Sequence, residues 1–141
     1  MPSHRINLRG PWDYRWLNGA AQPISAQGTV AMPCEWRNVF GLVCGTAEFR
    51  RKFHKPTNLE SHESVVIVLT EVGGQGKASL NGVSLGEFSS AGDLVEFEIT
   101  NSLSPFNELM IEVAFDPSAD EDLKGGLYGV TALEIRSGSL E

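Results

Sequence analysis

Apolar and polar residues alternate in one short segment after another along this chain, and a helical period of 3.6 is hard to find. A period of two marks strands with one packed face and one wet face. Trp12-Asp13-Tyr14-Arg15-Trp16 sets aromatics against charges, and Thr29-Val30-Ala31-Met32 is a shorter candidate ended by Pro33. In Ala47-Glu48-Phe49-Arg50-Arg51-Lys52-Phe53, one side carries Ala47, Phe49 and Phe53, with Arg51 as its odd member. Val65-Val66-Ile67-Val68-Leu69 is a continuous apolar run, as expected of a central strand buried on both faces. Asn81-Gly82 lies between Lys77-Ala78-Ser79-Leu80 and Val83-Ser84-Leu85. That dipeptide tolerates positive φ at both central turn positions, so it predicts a tight hairpin. Leu94 to Ile99, Glu108 to Phe115 and Ala132 to Arg136 again alternate. About eight or nine short strands separated by Gly, Pro, Asn and Ser clusters predict an all-β, antiparallel two-sheet sandwich or barrel. Its core is expected to include Trp12, Phe49, Ile67, Leu69, Phe97, Ile111 and Leu133. Gly73-Gly74-Gln75-Gly76-Lys77 reads as a turn: a phosphate loop needs a helix after it, and here a strand follows.

Length and charge narrow the classes. With 141 residues, the sequence describes a single domain over 1–141, too short for a catalytic barrel of about 250 residues. A net charge of −7 and no basic run longer than Arg50-Arg51-Lys52 argue against nucleic acid as a partner. No stretch is long and apolar enough to span a membrane, so no membrane partner is expected. No signal peptide is visible at the N-terminus, and a cytoplasmic protein is expected. Cys34 and Cys44 are then expected to be free thiols.

Candidate chemistry gathers in two long loops, Pro33 to Gly45 and Asp116 to Gly129. His4, His54 and His62 lack zinc-ligand spacing, and no Gly-x-Ser-x-Gly elbow occurs. Asp116, Asp120, Glu121 and Asp122 could ligate calcium, but their spacing matches no calcium loop. The same carboxylates suit the hydroxyls of a sugar, with Tyr128 or Trp36 stacking on the ring, or they simply form a solvated acidic loop. Trp12, Tyr14 and Trp16 read as core rather than as a sugar platform. No catalytic residue, metal or cofactor is predicted.

The ordered segments resemble the N-terminal sugar-binding domain of glycoside hydrolase family 2, the family of β-galactosidase, β-glucuronidase and β-mannosidase. The resemblance rests on Gly10-Pro11-Trp12-Asp13-Tyr14, Val30-Ala31-Met32-Pro33-Cys34-Glu35-Trp36 and Gly45-Thr46-Ala47-Glu48-Phe49-Arg50-Arg51-Lys52-Phe53. It continues through Ala78-Ser79-Leu80-Asn81-Gly82-Val83-Ser84-Leu85-Gly86, Phe97-Glu98-Ile99-Thr100, Asn107-Glu108-Leu109 and Gly125-Gly126-Leu127-Tyr128-Gly129-Val130. It implies a jelly-roll sandwich of the galactose-binding type, standing alone without the family's catalytic barrel. It also implies that Asp120, Asp122 and Lys124, preceding Gly125-Gly126, are where a substrate-facing residue would come from. The expected function is a non-catalytic carbohydrate-binding module with Trp36, Asp120, Asp122, Lys124 and Tyr128 as its ligand residues. In that reading Trp36 and Tyr128 stack, while Trp36 equally suits packing beneath its loop. The alternative is a structural or interaction domain, a detached glycosidase piece whose partner is another protein or a glycosidase catalytic domain.

Overall fold

Two antiparallel sheets pack face to face, so the strands expose alternate residues to a shared core and to solvent. The computed structural model describes residues 3–19, 21–91, 94–117 and 124–137. In chain order the strands are β1 (Ser3–Asn7), β2 (Trp12–Gly19), β3 (Gln27–Val30), β4 (Gly45–His54), β5 (Glu63–Leu69), β6 (Gly73–Leu80), β7 (Val83–Ala91), β8 (Val95–Glu98), β9 (Phe106–Phe115) and β10 (Thr131–Ser137). One short helix, α1 (Trp36–Val39), and a 3-10 turn at Thr100–Ser102 are the described helical elements. The four-stranded sheet runs β1-β10-β5-β8, and the six-stranded sheet runs β3-β2-β4-β9-β6-β7. This is the expected all-β two-sheet sandwich.

The hairpin forms where the turn chemistry placed it, with Asn81 at φ 53 and Gly82 at φ 84 between β6 and β7. The Asn81 amide nitrogen donates to the Asn107 side-chain oxygen at 3.0 Å, which ties the turn to β9. Phe49, Ile67, Leu69, Ile111 and Leu133 are all buried, and so is Trp12, whose indole donates to the Leu8 carbonyl at 2.8 Å. Phe97 departs from expectation and is only half-buried. β8 is an edge strand, so its ring is flanked by the sheet on one side alone.

Strand β5 is buried on both faces from Val65 to Leu69. Val65, Ile67 and Leu69 face the core. Val66 and Val68 lie opposite Glu134 and Ala132 of β10 and opposite Glu98 and Glu96 of β8. Over this outer face runs a charge ladder: Arg5 donates to Glu134 at 2.7 Å, and Arg136 reaches both Glu134, at 2.6 Å, and Glu96. The aliphatic stems of such arginines cover apolar surface while their heads stay wet.

The glycine-rich stretch Gly73–Gly76, expected as a turn, is instead the first half of β6. The reason is close backbone approach. A Cβ at Gly73 would overlap the Lys124 carbonyl oxygen, and one at Gly76 the Glu112 carbonyl oxygen. β1 gave too short an alternation to be read from sequence and pairs with β10 from Ser3 to Asn7.

Candidate functional site

The two long loops meet at the end of the six-stranded sheet where β4 begins and β9 finishes, Gly45 being paired with Phe115. Main-chain hydrogen bonds stitch them together. Cys34 N donates to the Leu127 carbonyl at 3.0 Å and Trp36 N to that of Gly125 at 2.9 Å. Gly126 exchanges two bonds of 3.0 Å with Gly73, which anchors the second loop to β6. Gly126 has φ +76 and its Cβ position faces the Trp36 backbone, so this crossing suits a residue without a side chain.

Trp36 opens α1 and points inward. It is 1% exposed, and its ring centroid lies 4.7 Å from Phe40 and 5.6 Å from both Trp16 and Phe115. Its Nε1–H donates to the Val43 carbonyl at 2.9 Å. A face shared among three rings cannot also receive a pyranose, so the stacking role expected for Trp36 is corrected to the packing role. The aromatics of β2 join the same cluster: Trp16 sits 5.0 Å from Phe40, and Tyr14 meets Phe40 edge-on at 5.6 Å.

Lys124 and Tyr128 are brought together. Lys124 is exposed, Tyr128 is half-buried, and the ammonium lies 6.0 Å from the ring centroid, the outer reach of a cation–π contact. Asp120 and Asp122 lie outside the described residues, as does Glu121, while Asp116 is exposed at the end of β9.

Near this rim, Ile24 is 74% exposed and Leu42 61% exposed, neither singled out by its sequence. Ile24 N bonds the Phe40 carbonyl at 2.9 Å, and its side chain lies over Gly41, which precedes Leu42. Cys34 is half-buried, with its sulfur 3.5 Å from that of Met32; burial pushes its thiol up to about 11. Cys44 is exposed.

On the outer face of the six-stranded sheet, Glu48 is buried between Arg15 and Arg50 at 3.4 and 3.1 Å. On the other sheet, the side-chain bonds from Arg5, and then those from Arg136, hold the Glu134 carboxyl below the usual range. These two carboxylates are structural charges. His4 and His54 are exposed, and His62 lies 3.4 Å from Glu60.

No protein-family model and no curated protein matches the sequence. Solved structures do match in fold. An FMN-binding β-glucuronidase from Faecalibacterium prausnitzii L2-6 superposes with a TM-score of 0.80 at 23% identity, covering 96% of this chain and 23% of that one. A β-glucuronidase from glycoside hydrolase family 2 gives a TM-score of 0.74 at 19% identity, covering 96% of this chain and 18% of that one. A rhamnosidase from Novosphingobium sp. PP1Y gives a TM-score of 0.76 at 19% identity, covering 96% and 15% respectively. The chain thus spans less than a quarter of the length of these three enzymes. At such identities the likeness is one of architecture: this chain has the β-sandwich fold that forms one part of these glycosidases, among them a family 2 glycoside hydrolase.

Proposed function

We propose that this chain is a non-catalytic carbohydrate-binding domain whose ligand contacts the Lys124–Tyr128 rim. The observation that carries the reading is the juxtaposition of an exposed ammonium and a half-buried phenol ring on the loop end of a glycosidase-type sandwich. Tyr128 offers ring surface to the apolar face of a sugar. Lys124 donates to hydroxyl or carboxylate oxygens, and Asp120 and Asp122, between β9 and Lys124 in the chain, are the acceptors proposed for hydroxyls. A rim with so few polar anchors binds weakly, with a Kd on the order of 0.1 to 1 mM.

The non-catalytic part of the proposal draws on the fold likeness, in which this chain matches less than a quarter of each of three glycosidases. Calorimetry with galactosides, glucuronides, mannosides and rhamnosides tests the proposal, together with Tyr128→Ala and Lys124→Ala. Absence of any binding below about 10 mM, or affinity unchanged in both variants, overturns it. A second reading, a domain that docks on another protein or on a glycosidase catalytic domain, is favoured by the exposure of Ile24 and Leu42 near the same rim. Ile24→Ser with Leu42→Ser would abolish such docking and leave sugar affinity intact.

A further inference from the structure

A cavity of about 720 Å³ opens at the far end of the sandwich, where β4 finishes and β9 starts. That is the usual size of a small-molecule site. Ile6, Leu8, Phe53, Leu133 and Phe106 supply its apolar surface. Phe53, Leu8 and Leu133 belong to the buried core, whereas Phe106 is 73% exposed and meets His54 edge-on, with ring centroids 4.9 Å apart.

Arg51 also lines this cavity, from the strand β4 whose neighbouring inward residues are Phe49 and Phe53. Its guanidinium is only partly served. One terminal nitrogen donates to the Lys52 carbonyl, and Nε is buried without a hydrogen-bond partner. Among the described residues, none of the ion pairs involves Arg51. Every other arginine that packs on a sheet face here, Arg5, Arg15, Arg50 and Arg136, has a carboxylate within 3.5 Å. Arg51 is half-buried and its Nε is shielded from water without a partner, and a buried donor left unpaired costs free energy, so this guanidinium at the cavity mouth is placed to take an anion. Two of the three amides in the wall are already committed, because Asn81 bonds Asn107 and Asn107 bonds both backbone groups of Ser104, and the third is Asn7.

The rest of the lining selects the kind of anion. Glu108 stands in the wall and would repel a dianion such as phosphate, and its carboxylate is held by Arg50 at 3.5 Å. Lys52 and His54 also line the cavity, and with the Glu108 carboxylate set against the Lys52 ammonium, the Arg51 guanidinium beside the apolar wall matches one carboxylate on an apolar body. We propose that this cavity binds a monoanionic carboxylate carried on an apolar or aromatic body, with Arg51 taking the carboxylate and Phe106 and Phe53 taking the body. The site is independent of the Lys124–Tyr128 rim, which lies at the opposite end of β4 and β9.

Titration calorimetry with 3-phenylpropionate, its uncharged amide, acetate and inorganic phosphate reads the proposal, with the His54 imidazole resonances as a local reporter. The acid is expected to bind about tenfold tighter than the amide, and acetate and phosphate more weakly than the acid. Arg51→Met should erase the gap between acid and amide. Phe106→Ala, which alters an exposed ring and leaves the fold intact, should weaken the acid about threefold. Tyr128→Ala should change nothing here, so failure at this cavity and failure of the sugar site are distinguishable. Equal affinity for acid and amide, tighter binding of phosphate, or acid affinity unchanged in Phe106→Ala would overturn the assignment, even if Arg51→Met failed to fold.

Discussion

Replacing Trp36 with Ala separates a packing indole from a ligand-binding one. The side chain is 1% exposed, touches the rings of Phe40, Trp16 and Phe115, and donates to the Val43 carbonyl. Truncation leaves a cavity among those rings and takes the indole N–H donor from the Val43 carbonyl, so the cost belongs to the class of buried Trp→Ala changes, about 3 to 5 kcal/mol. Domains of this size are stable by about 5 to 15 kcal/mol, so a large fraction of the total is lost. With a urea slope of about 2 kcal/mol per M, the unfolding midpoint should fall by about 1.5 to 2.5 M. Far-UV circular dichroism follows the transition, alongside the fluorescence of the remaining Trp12 and Trp16. Trp36→Phe keeps a ring but loses the N–H bond, and should cost about 1 to 2 kcal/mol. That variant stays folded and should bind any sugar ligand as the parent does. A midpoint shift under about 0.5 M for Trp36→Ala, or sugar affinity lost in Trp36→Phe at undiminished stability, would refute the packing role.

Other expectations follow from single contacts. Glu134 has its folded pKa depressed from an ordinary 4.5 by hydrogen bonds from Arg5 and Arg136, so its stabilisation is present above that value and is lost as pH falls through the lower folded one. Glu134→Gln should therefore cost about 1 kcal/mol near neutrality, and the gap to the parent should close in acid. A gap that persists far below the carboxylate range would contradict the ladder. With its thiol half-buried and raised to about 11, Cys34 should react with a disulfide reagent at mildly alkaline pH far more slowly than exposed Cys44 while the chain is folded; two equal rates would be the contrary result. Gly82→Ala meets no atom within 4 Å but keeps φ +84, so thermal unfolding should report only the backbone strain of about 1 kcal/mol. Gly76→Ala, with its Cβ driven into the Glu112 carbonyl, should be far more damaging, and a smaller effect than Gly82→Ala would refute the close approach of β6 to β9.

Strand positions were legible wherever one face is wet, because alternation records which side of a strand meets the core. β9 shows this, and β4 does so apart from Arg51, with Phe49 opposite Ile111 and Ala47 opposite Val113. Val65 to Leu69 was legible as doubly buried, but not what buries it, because the charges over Val66 and Val68 arrive from β8 and β10. Gly73 to Gly76 misled because a glycine run in a turn and one in a crowded strand look alike. The difference lies in neighbours such as Lys124 and Glu112, which are distant in sequence.

The candidate sites were less legible for a related reason. A loop tryptophan is a ligand platform or a core residue according to what its neighbours leave uncovered, and Trp36 is covered by Phe40 of its own loop and by Trp16 and Phe115 from β2 and β9. Tyr128 has the same sequence signal, an aromatic in a Gly-rich loop, and remains half-exposed. Arg51 carried the opposite kind of signal, a charge at an apolar position of a strand, and at that position the folded chain has a cavity whose wall carries Glu108, paired with Arg50. Departures from the binary pattern therefore point to chemistry here more sharply than residue type does: an aromatic in a loop is ambiguous, whereas a cation on the core face with a shielded Nε that no described residue accepts from marks a position where a ligand can be held.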